Sequence, residues 1–287
     1  MSPNIISKPL LLHQSRSMKE KVVIITGGTS GIGKALAFEF GNHGSKVVIT
    51  GRRQDALNKT EAELENANIE CISLQSDVSV ASECEKMVQA TLEKFGRIDI
   101  LINNAGISMR ASFEDLKLDV IKQVMDINFY GAVNATKYCL PEIIKNKGSI
   151  LGISSIAGYR GLPGRAGYSA SKFALQGFLE VIRSELVHRG VHVMIAAPSF
   201  TGTNIRKTAL TADGNSQAES PRKEEKMMTP QEVAKRIYVA TRKRKLVLVF
   251  SLEGKLVRLL NYLAPGFLDK MVYKAMANEP DSPFPKV

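Results

Sequence analysis

Short apolar runs alternate with longer helical segments along most of the chain, and this alternation is the strongest constraint on the fold. The runs are rich in β-branched residues, as Val22-Val23-Ile24-Ile25 and Val47-Val48-Ile49 illustrate. Strands that are apolar on both faces are typical of a parallel sheet covered by helices on each side. Right-handed crossovers between such strands produce a doubly wound architecture. The sequence therefore predicts an α/β fold.

The positions of these segments give a map of the expected elements. Predicted strands cover residues 22–26, 46–50, 70–74, 98–103, 149–154, 191–196 and 246–250. Predicted helices cover residues 32–40, 54–67, 80–95, 118–138, 167–189 and 229–241. Gly190 is expected to end one long helix, and Pro141 is expected to lie beyond the end of the other. Together these elements describe a Rossmann-like doubly wound parallel sheet of about seven strands with helices on both faces.

The domain organisation follows from the same pattern, because only one core is evident. Residues 21–250 are expected to form a single Rossmann-fold catalytic domain. Residues 1–20 are interpreted as a disordered or loosely attached extension, and residues 251–287 as an amphipathic tail packed on the same domain. The polar segment 198–228 is long for a compact domain, which is typical of a functional lid or of a disordered segment.

The tail has a helical apolar pattern whose purpose the sequence leaves open. Leu252, Leu256 and Leu259 are spaced as on one face of a helix, with basic residues at other positions. A second apolar set follows Pro265-Gly266. One interpretation is a helix pair that covers the substrate pocket or a subunit interface. The other is a basic amphipathic helix that lies on a membrane surface.

Composition excludes several classes of protein. Hydrophobic residues make up 44% and charged residues 23%, as in ordinary soluble domains, and no apolar run approaches the roughly 18–20 residues of a membrane span. No secretory signal is evident, so a cytoplasmic location is expected, with membrane association left open. The net charge is +11, but few aromatics and no recognised module argue against a nucleic-acid partner. The three cysteines and four histidines lack metal-ligand spacing, so no metal site is expected.

A glycine-rich turn follows the first predicted strand and reads Thr26-Gly27-Gly28-Thr29-Ser30-Gly31-Ile32-Gly33. Glycines here let the backbone approach a pyrophosphate, and the next helix offers unpaired N–H groups to it. The spacing differs from the G-x-G-x-x-G fingerprint, and a purely structural turn is the alternative. The candidate cofactor-binding residues in this turn are Gly27, Thr29, Ser30, Gly31, Ile32 and Gly33.

The end of the second strand indicates which nicotinamide cofactor is bound. An acidic residue there binds the ribose hydroxyl of NAD, whereas arginine accommodates the 2′-phosphate of NADP. The chain has Arg52 and Arg53 at this point and no acid before Asp55. We therefore expect NADP rather than NAD, with Arg52 as the first candidate and Arg53 as the second, although arginines on a loop are also compatible with simple solvation.

A tyrosine and a lysine lie four residues apart, at Tyr168 and Lys172. Positions i and i+4 share one face of a helix, so the ammonium is expected beside the phenol. A fixed cation lowers the pKa of a phenol and makes tyrosine usable as a proton donor and acceptor. Such a pair also occurs by chance on solvated helices, so on its own it indicates little.

Taken together, these motifs resemble the short-chain dehydrogenase/reductase family, in its single-domain form, over about residues 21–250. Ser155 matches the catalytic serine because it follows the fifth strand and precedes Tyr168 by thirteen residues. The neighbouring Ser154 is the alternative, but adjacent residues in a strand face opposite sides. The resemblance implies four catalytic residues, Asn128, Ser155, Tyr168 and Lys172. It also implies cofactor contacts by Asp77, Asn104, Ala105, Gly106, Tyr168, Lys172, Pro198, Thr201 and Thr203.

The chemistry that the resemblance implies is hydride transfer between NADP(H) and a carbonyl or secondary alcohol. Tyr168 would donate a proton to the carbonyl oxygen, Ser155 would hydrogen-bond to that oxygen, and Lys172 would lower the tyrosine pKa. Asn128 would hold a water molecule next to Lys172. One position departs from the family, which usually has Pro-Gly after the sixth strand where this chain has Pro198-Ser199.

The substrate is less well defined than the reaction. Apolar residues in segments 107–113 and 159–165, together with the tail, favour a hydrophobic or lipid-like ketone. Arg110, Arg160 and Arg165 leave open a substrate with a phosphate or carboxylate, and a soluble ketone or 3-oxoacyl thioester is the alternative. A redox sensor that binds NADP without catalysis is a further alternative. The resemblance also implies a homodimer or homotetramer joined through the helices 118–138 and 167–189.

Overall fold

A computed structural model describes residues 17–219 and 227–286, and its centre is one parallel sheet. The seven strands, β1 to β7 in chain order, are Val22–Thr26, Lys46–Gly51, Cys71–Gln75, Ile100–Asn103, Ser149–Ile153, His192–Ala197 and Val247–Val249. Every residue of β1, β4, β5 and β6 is buried, as expected for strands that are covered on both faces. The predicted Rossmann-like sheet is confirmed.

The strand order is β3-β2-β1-β4-β5-β6-β7, and every neighbouring pair is parallel. At the centre, Ile24 of β1 pairs with Val48 on one side and with Leu101 on the other. The chain therefore winds outward in opposite directions from β1 and β4. In open α/β sheets, ligands bind beyond the carboxyl ends of the strands at this switch point.

Nine α-helices accompany the sheet within the described residues. In chain order, α1 to α9 are Gly31–Asn42, Gln54–Asn66, Ala81–Phe95, Leu118–Met125, Gly131–Lys145, Ala166–Glu185, Pro230–Arg242, Leu252–Leu263 and Pro265–Ala277. Two hydrophobic cores separate the helices from the sheet. Val23 and Ile25 of β1 face the first core with Phe40 of α1, and Val22 and Ile24 face the second. Both faces of the sheet are thus covered.

The long helix predicted for residues 118–138 is wrong in its interior and in its end. It consists of α4, a π-helical turn at Asp126–Tyr130, and α5, which continues to Lys145. Pro141 lies inside α5, although it was expected beyond the helix. Proline removes one backbone hydrogen-bond donor, but the helix continues on both sides of Pro141 despite that loss. The chain leaves the helix only after Asn146, where Lys147 has a φ of 48°.

The end of α6 also differs from the prediction, which extended the helix to residue 189. The helix ends at Glu185, and residues Val187–Arg189 form a separate 3₁₀ turn before Gly190. Gly190 has a φ of 72°, the left-handed conformation that glycine adopts without strain, so it does end the helical segment. The remaining predicted boundaries of strands and helices agree to within two residues.

The C-terminal helices α8 and α9 contact the loop that follows β5. Leu268, Val272 and Met276 of α9 form a small buried cluster with Leu162 of that loop. Gly254 of α8 lies so close to Ile156 that an added Cβ would come within 2.1 Å of its Cδ1 atom. The opposite side of these helices is exposed, with Leu252, Leu263 and Phe267 in solvent. No helix in residues 17–219 and 227–286 has both the length and the apolarity needed to cross a bilayer.

Candidate active site

The glycine-rich turn between β1 and α1 forms a cradle of exposed backbone. Gly27 and Gly31 have positive φ values of 65° and 52°, which glycine adopts readily. A Cβ on Gly33 would lie 2.2 Å from the carbonyl oxygen of Gly27, so no side chain fits there. Ser30 precedes α1, and its side chain forms no capping hydrogen bond. The first N–H groups of α1 therefore remain available to an anion, as a dinucleotide pyrophosphate requires.

The other residues of the turn support this cradle from the side. Thr29 lies against β2, where a Cβ on Gly51 would be 3.2 Å from its methyl group. Ile32 packs against the core beneath α1. Gly31 faces the segment after β6, since an added Cβ would lie 3.2 Å from the methyl group of Thr203. The turn and Thr203 thus bound the same opening.

Asn104 links the turn to the end of β4. Its side-chain amide donates to the carbonyl oxygens of Thr26 and Gly27 at 2.9 and 3.0 Å. In return, the hydroxyl of Thr26 accepts hydrogen bonds from the backbone N–H groups of Asn104 and Ala105, both at 3.0 Å. Thr26 was not among the predicted site residues, although its position at the end of β1 was a usable signal. These bonds hold the two sides of the switch point together.

Arg52 and Asp77 lie beside each other at the carboxyl ends of β2 and β3. A guanidinium nitrogen of Arg52 is 3.9 Å from the Asp77 carboxylate, and the arginine side chain is 57% exposed. They line a cavity of about 260 Å³, whose other wall includes Asp126 and Ile127 from the π-helical turn. Arg53 is exposed and precedes α2. The cavity and the exposed positive charge of Arg52 together provide a polar site beside the glycine-rich turn.

Ser155 and Ser154 have different surroundings, as expected for neighbours at a strand end. The hydroxyl of Ser155 forms a hydrogen bond with the phenol of Tyr168 and accepts one from Ala157 N at 3.2 Å. The hydroxyl of Ser154 instead accepts a hydrogen bond from the side-chain amide of Gln176 at 2.8 Å, in the interior. The structure therefore brings Ser155, and not Ser154, to the tyrosine.

Tyr168 and Lys172 lie on the same face of α6, with the lysine Nζ 5.7 Å from the centre of the tyrosine ring. Nζ donates a hydrogen bond to the carbonyl oxygen of Ile153 at 2.9 Å. Burial lowers the pKa of Lys172 to about 8, because the charged form loses its hydration. The lysine is thus held at the end of β5, next to Ser155.

The pKa of Tyr168 differs from the expectation that Lys172 lowers it. Burial is the largest effect and raises this pKa, while the Ser155 hydrogen bond and the charges of Arg165 and Arg206 oppose the increase. The physical reason is that desolvation destabilises a phenolate more than these partners stabilise it. Arg165 and Arg206 were not predicted to act on the phenol, and nothing in their local sequence signals it.

Asn128 lies in the π-helical turn, and π turns occur frequently at functional sites. Its carboxamide exchanges hydrogen bonds with the backbone of Ile107, at 2.8 and 2.9 Å, and donates to the Ser171 hydroxyl at 2.9 Å. A Cβ on Gly106 would lie 3.1 Å from the Asn128 oxygen and 3.5 Å from Lys172 Nζ. The absence of a side chain at Gly106 therefore leaves open space between Asn128 and Lys172. Ser171, which was not predicted, fixes the asparagine from inside the Tyr168–Lys172 helix.

The segment after β6 begins with Pro198, which is buried, and continues along the opening. The hydroxyl of Thr201 donates to the carbonyl oxygen of Ser199 at 3.0 Å, and the carbonyl oxygen of Thr201 accepts from Arg206 at 3.0 Å. Ser199 donates its hydroxyl hydrogen to Ser251, the N-cap of α8, at 2.7 Å. The departure from Pro-Gly thus connects this segment to the tail. Residues 220–226 of the predicted lid lie outside the described residues.

Comparison with known proteins gives a consistent result. A model of the short chain dehydrogenase family matches residues 21–214. "Dehydrogenase/reductase SDR family member 7B" of Xenopus laevis is 37% identical over 266 residues, which cover 89% of this chain and 82% of that protein. "11-beta-hydroxysteroid dehydrogenase-like 4A" of Arabidopsis thaliana is 38% identical over 189 residues, or 65% of this chain and 63% of that protein.

Solved structures share the fold at lower sequence identity. A short chain dehydrogenase/reductase from Burkholderia phymatum in complex with NAD has a TM-score of 0.80 at 22% identity, covering 88% of this chain and 96% of that one. An alcohol dehydrogenase from Thermococcus sibiricus complexed with 5-hydroxy-NADP has a TM-score of 0.70 at 23% identity, covering 79% and 93%. The extent of the family match decides the class: this chain belongs to the short-chain dehydrogenase/reductase family. Membership of this family makes the protein an oxidoreductase that uses a nicotinamide cofactor and a small-molecule substrate.

Proposed function

We propose that the protein transfers a hydride between NADP(H) and a carbonyl or secondary alcohol, with residues 21–250 as its catalytic domain. The observation that carries this proposal is the grouping of Ser155, Tyr168 and Lys172 at the carboxyl end of β5, with Asn128 held beside them. This group lies next to the glycine cradle, to which Gly106 and Asn104 connect it. The cradle fits a dinucleotide because its backbone is bare where a pyrophosphate would approach.

The roles of the four residues follow from their chemistry. NADPH, when bound, supplies the hydride to the carbonyl carbon. The phenol of Tyr168 donates its proton to the carbonyl oxygen, and Ser155 donates a hydrogen bond that stabilises charge on that oxygen. The positive charge of Lys172 stabilises the resulting phenolate, and its low pKa allows it to pass a proton on at neutral pH. Asn128 positions the loop at Ile107 through paired hydrogen bonds.

We infer a preference for NADP over NAD from Arg52. A guanidinium at the end of β2 matches a phosphate in geometry and charge, whereas the ribose of NAD calls for an acid there. Exchange of Arg52 for glutamine is expected to weaken NADPH binding about tenfold or more, and to leave NADH binding nearly unchanged. Arg53→Gln tests the second candidate in the same way, and its effect on NADPH binding is expected to be smaller. Binding is measured by the fluorescence of the reduced nicotinamide. Equal losses of affinity for NADPH and NADH would contradict the proposal.

A hydrophobic or lipid-like ketone is the substrate class that the site favours. Met109 is fully buried beside α6, where its sulfur accepts a hydrogen bond from Gly167 N, and Leu162 packs against the tail. Both residues lie on the loops that flank Tyr168, so the surroundings of the phenol are apolar. A relative named for a hydroxysteroid substrate agrees with this class. A soluble ketone or a 3-oxoacyl thioester is the second candidate.

We further propose that the protein is a cytoplasmic homodimer or homotetramer. We also propose that its tail contacts membranes. The exposed Leu252, Leu263 and Phe267 on α8 and α9, with Lys255 and Lys270 nearby, resemble a basic interfacial surface. On α6, exposed Phe173 and Val181 support pairing of subunits through the long helices. Liposome flotation of the wild type and of L252E/L263E tests the membrane contact, and light scattering tests the subunit number.

The experiment that tests the function is a screen of NADPH oxidation with long-chain 3-ketones, steroid ketones and small soluble ketones. The proposal predicts turnover with at least one apolar ketone and much slower turnover with small polar ones. Preference for small polar ketones would favour the second candidate. NADPH binding without turnover of any carbonyl would instead favour a non-catalytic sensor and would contradict the proposed reaction.

A further inference from the structure

A carboxylate from the tail is buried between two arginines of the substrate loops. Glu279 follows α9 and is only 5% exposed. Its carboxylate lies 2.8 Å from a guanidinium nitrogen of Arg165 and 3.8 Å from one of Arg110. Arg110 also donates a hydrogen bond to the carbonyl oxygen of Pro280 at 2.5 Å. We call Glu279, Arg110 and Arg165 the Glu279 cluster.

The two arginines come from loops on either side of the proposed proton donor. Arg110 lies beyond the carboxyl end of β4, and its neighbour Met109 pairs with Leu210 of the segment after β6. Arg165 lies beyond the carboxyl end of β5, three residues before Tyr168, and its charge acts on the tyrosine phenol. The carboxyl ends of parallel strands are where substrates enter such folds. The Glu279 cluster therefore lies at the substrate side of the site.

Arginine pairs of this kind are suited to bind carboxylates. The planar guanidinium offers paired donors that match the two oxygens of a carboxylate, and the hydrogen bonds are strengthened by charge. A buried carboxylate is stable only when it is paired, so Glu279 is held in place by these two side chains. The tail thus supplies, from within the chain, the group that an anionic substrate would otherwise bring.

We propose that Glu279 is a specificity-determining residue, which excludes carbonyl substrates bearing a carboxylate by occupying Arg110 and Arg165 itself. This inference rests on the proposed reductase function and names a charge class of substrates that the site rejects. A neutral ketone passes the Glu279 cluster without competing for it. A keto acid has to compete with Glu279 for these two guanidinium groups, which is unfavourable because the buried carboxylate already occupies them.

A second ion pair between the tail and the same loop provides a matched control. Arg160, on the loop after β5, pairs with Asp269 of α9 and also bonds to Asn261 of α8 at 3.0 Å. Asp269 is 67% exposed, so its side chain is not a buried carboxylate. Removal of Asp269 weakens tail attachment without uncovering Arg110 or Arg165. The two pairs therefore separate the effect of tail attachment from the effect of charge.

The test compares Glu279→Ala, Glu279→Gln and Asp269→Ala with the wild type. The substrates are a long-chain keto acid and its methyl ester, and the measured quantity is the ratio of their kcat/KM values. Glu279→Ala is expected to raise the ratio for the acid over the ester about tenfold, as one charge-assisted contact allows. Glu279→Gln keeps the shape of the side chain and is expected to shift the ratio in the same direction by less. Asp269→Ala is expected to leave it unchanged.

A binding measurement makes the test independent of turnover. The affinity for a long-chain carboxylate, relative to the affinity for the corresponding alcohol, is expected to increase in Glu279→Ala. When Arg165→Gln is added to the Glu279→Gln variant, any gain in relative carboxylate affinity is expected to be abolished. A folded Glu279 variant with an unchanged acid-to-neutral ratio would overturn the inference, as would an equal shift in Asp269→Ala. If Glu279→Ala does not fold, Glu279→Gln decides. A wild type that reduces no ketone would refute the proposed function alone, because carboxylate binding would still test the Glu279 cluster.

Discussion

The nucleotide end and the substrate end of the site are built in different ways. At the nucleotide end, two backbone segments pack directly against each other, and a Cβ on Gly33 would lie only 2.2 Å from the carbonyl oxygen of Gly27. At the substrate end, long side chains reach the tail, and Arg165 pairs with Glu279 across a sequence separation of 114 residues. The first region is therefore closely packed, and its turn is made of residues that are neighbours in the sequence. The second depends on contacts that form only when the tail has folded onto the domain.

The largest expected effect concerns the close packing of the nucleotide end. Gly33→Val is expected to lower the free energy of unfolding by about 3 kcal/mol, because the side chain has to displace backbone, and to weaken NADPH binding severely. Chemical denaturation and cofactor titration measure the two effects. Gly177→Ala is the control: this α6 glycine has no atom within 4 Å of an added Cβ, so alanine should stabilise the protein by about 0.5–1 kcal/mol. If Gly33→Val changed neither the stability nor NADPH binding, the nucleotide end would not be closely packed.

The next effect concerns Lys172, which lies between the two ends. Its pKa falls from 10.5 to about 8 on folding, so the unfolded chain binds the proton more tightly between these pH values. The cost of burying the charge, about 3 kcal/mol, is therefore fully present below pH 8 and is relieved as pH rises toward 10.5. The stability of wild type relative to Lys172→Met should increase over this range. A pH-independent difference in denaturation would show that the lysine is not desolvated.

The smallest effect concerns the junction between the tail and the segment after β6. Ser251 accepts hydrogen bonds from Gly254 N at 3.0 Å and from the Ser199 hydroxyl at 2.7 Å, and so begins α8. Ser251→Ala should cost about 1 kcal/mol locally and accelerate amide hydrogen exchange in α8, with NADPH affinity unchanged. Ser199→Ala, which keeps the cap itself, should have a smaller effect. Faster exchange in α1 as well would show that the two ends are not independent.

The sequence predicted those parts of the site that are encoded by neighbouring residues. The glycine turn and the Tyr168–Lys172 pair depend on spacings of a few residues, and the family match makes them interpretable. The π-helical turn at Asn128 was not predicted, because helical periodicity does not register one extra residue per turn. Nor could periodicity assign Arg110 and Arg165 to Glu279, since nothing local marks a partner more than a hundred residues away.

The raised pKa of Tyr168 was missed for a different reason. An opposite charge four residues away is visible in sequence, whereas the burial of both groups is a property of the packed interior. Desolvation raises the phenol pKa against the opposing effects of Ser155, Arg165 and Arg206, and it also lowers the pKa of the lysine that was expected to act on the phenol. Electrostatic effects at the candidate site thus required the fold, whereas the candidate residues could be named from the sequence.

Tyr168 is proposed to donate the proton during hydride transfer. The most direct measurement is the single-turnover rate of NADPH oxidation by wild type and Tyr168→Phe, with cofactor and an accepted ketone both saturating. The rate is expected to fall by about a hundredfold or more while the NADPH dissociation constant changes little, because only proton donation is lost. A variant that retains the wild-type rate at full cofactor occupancy would contradict this proposal.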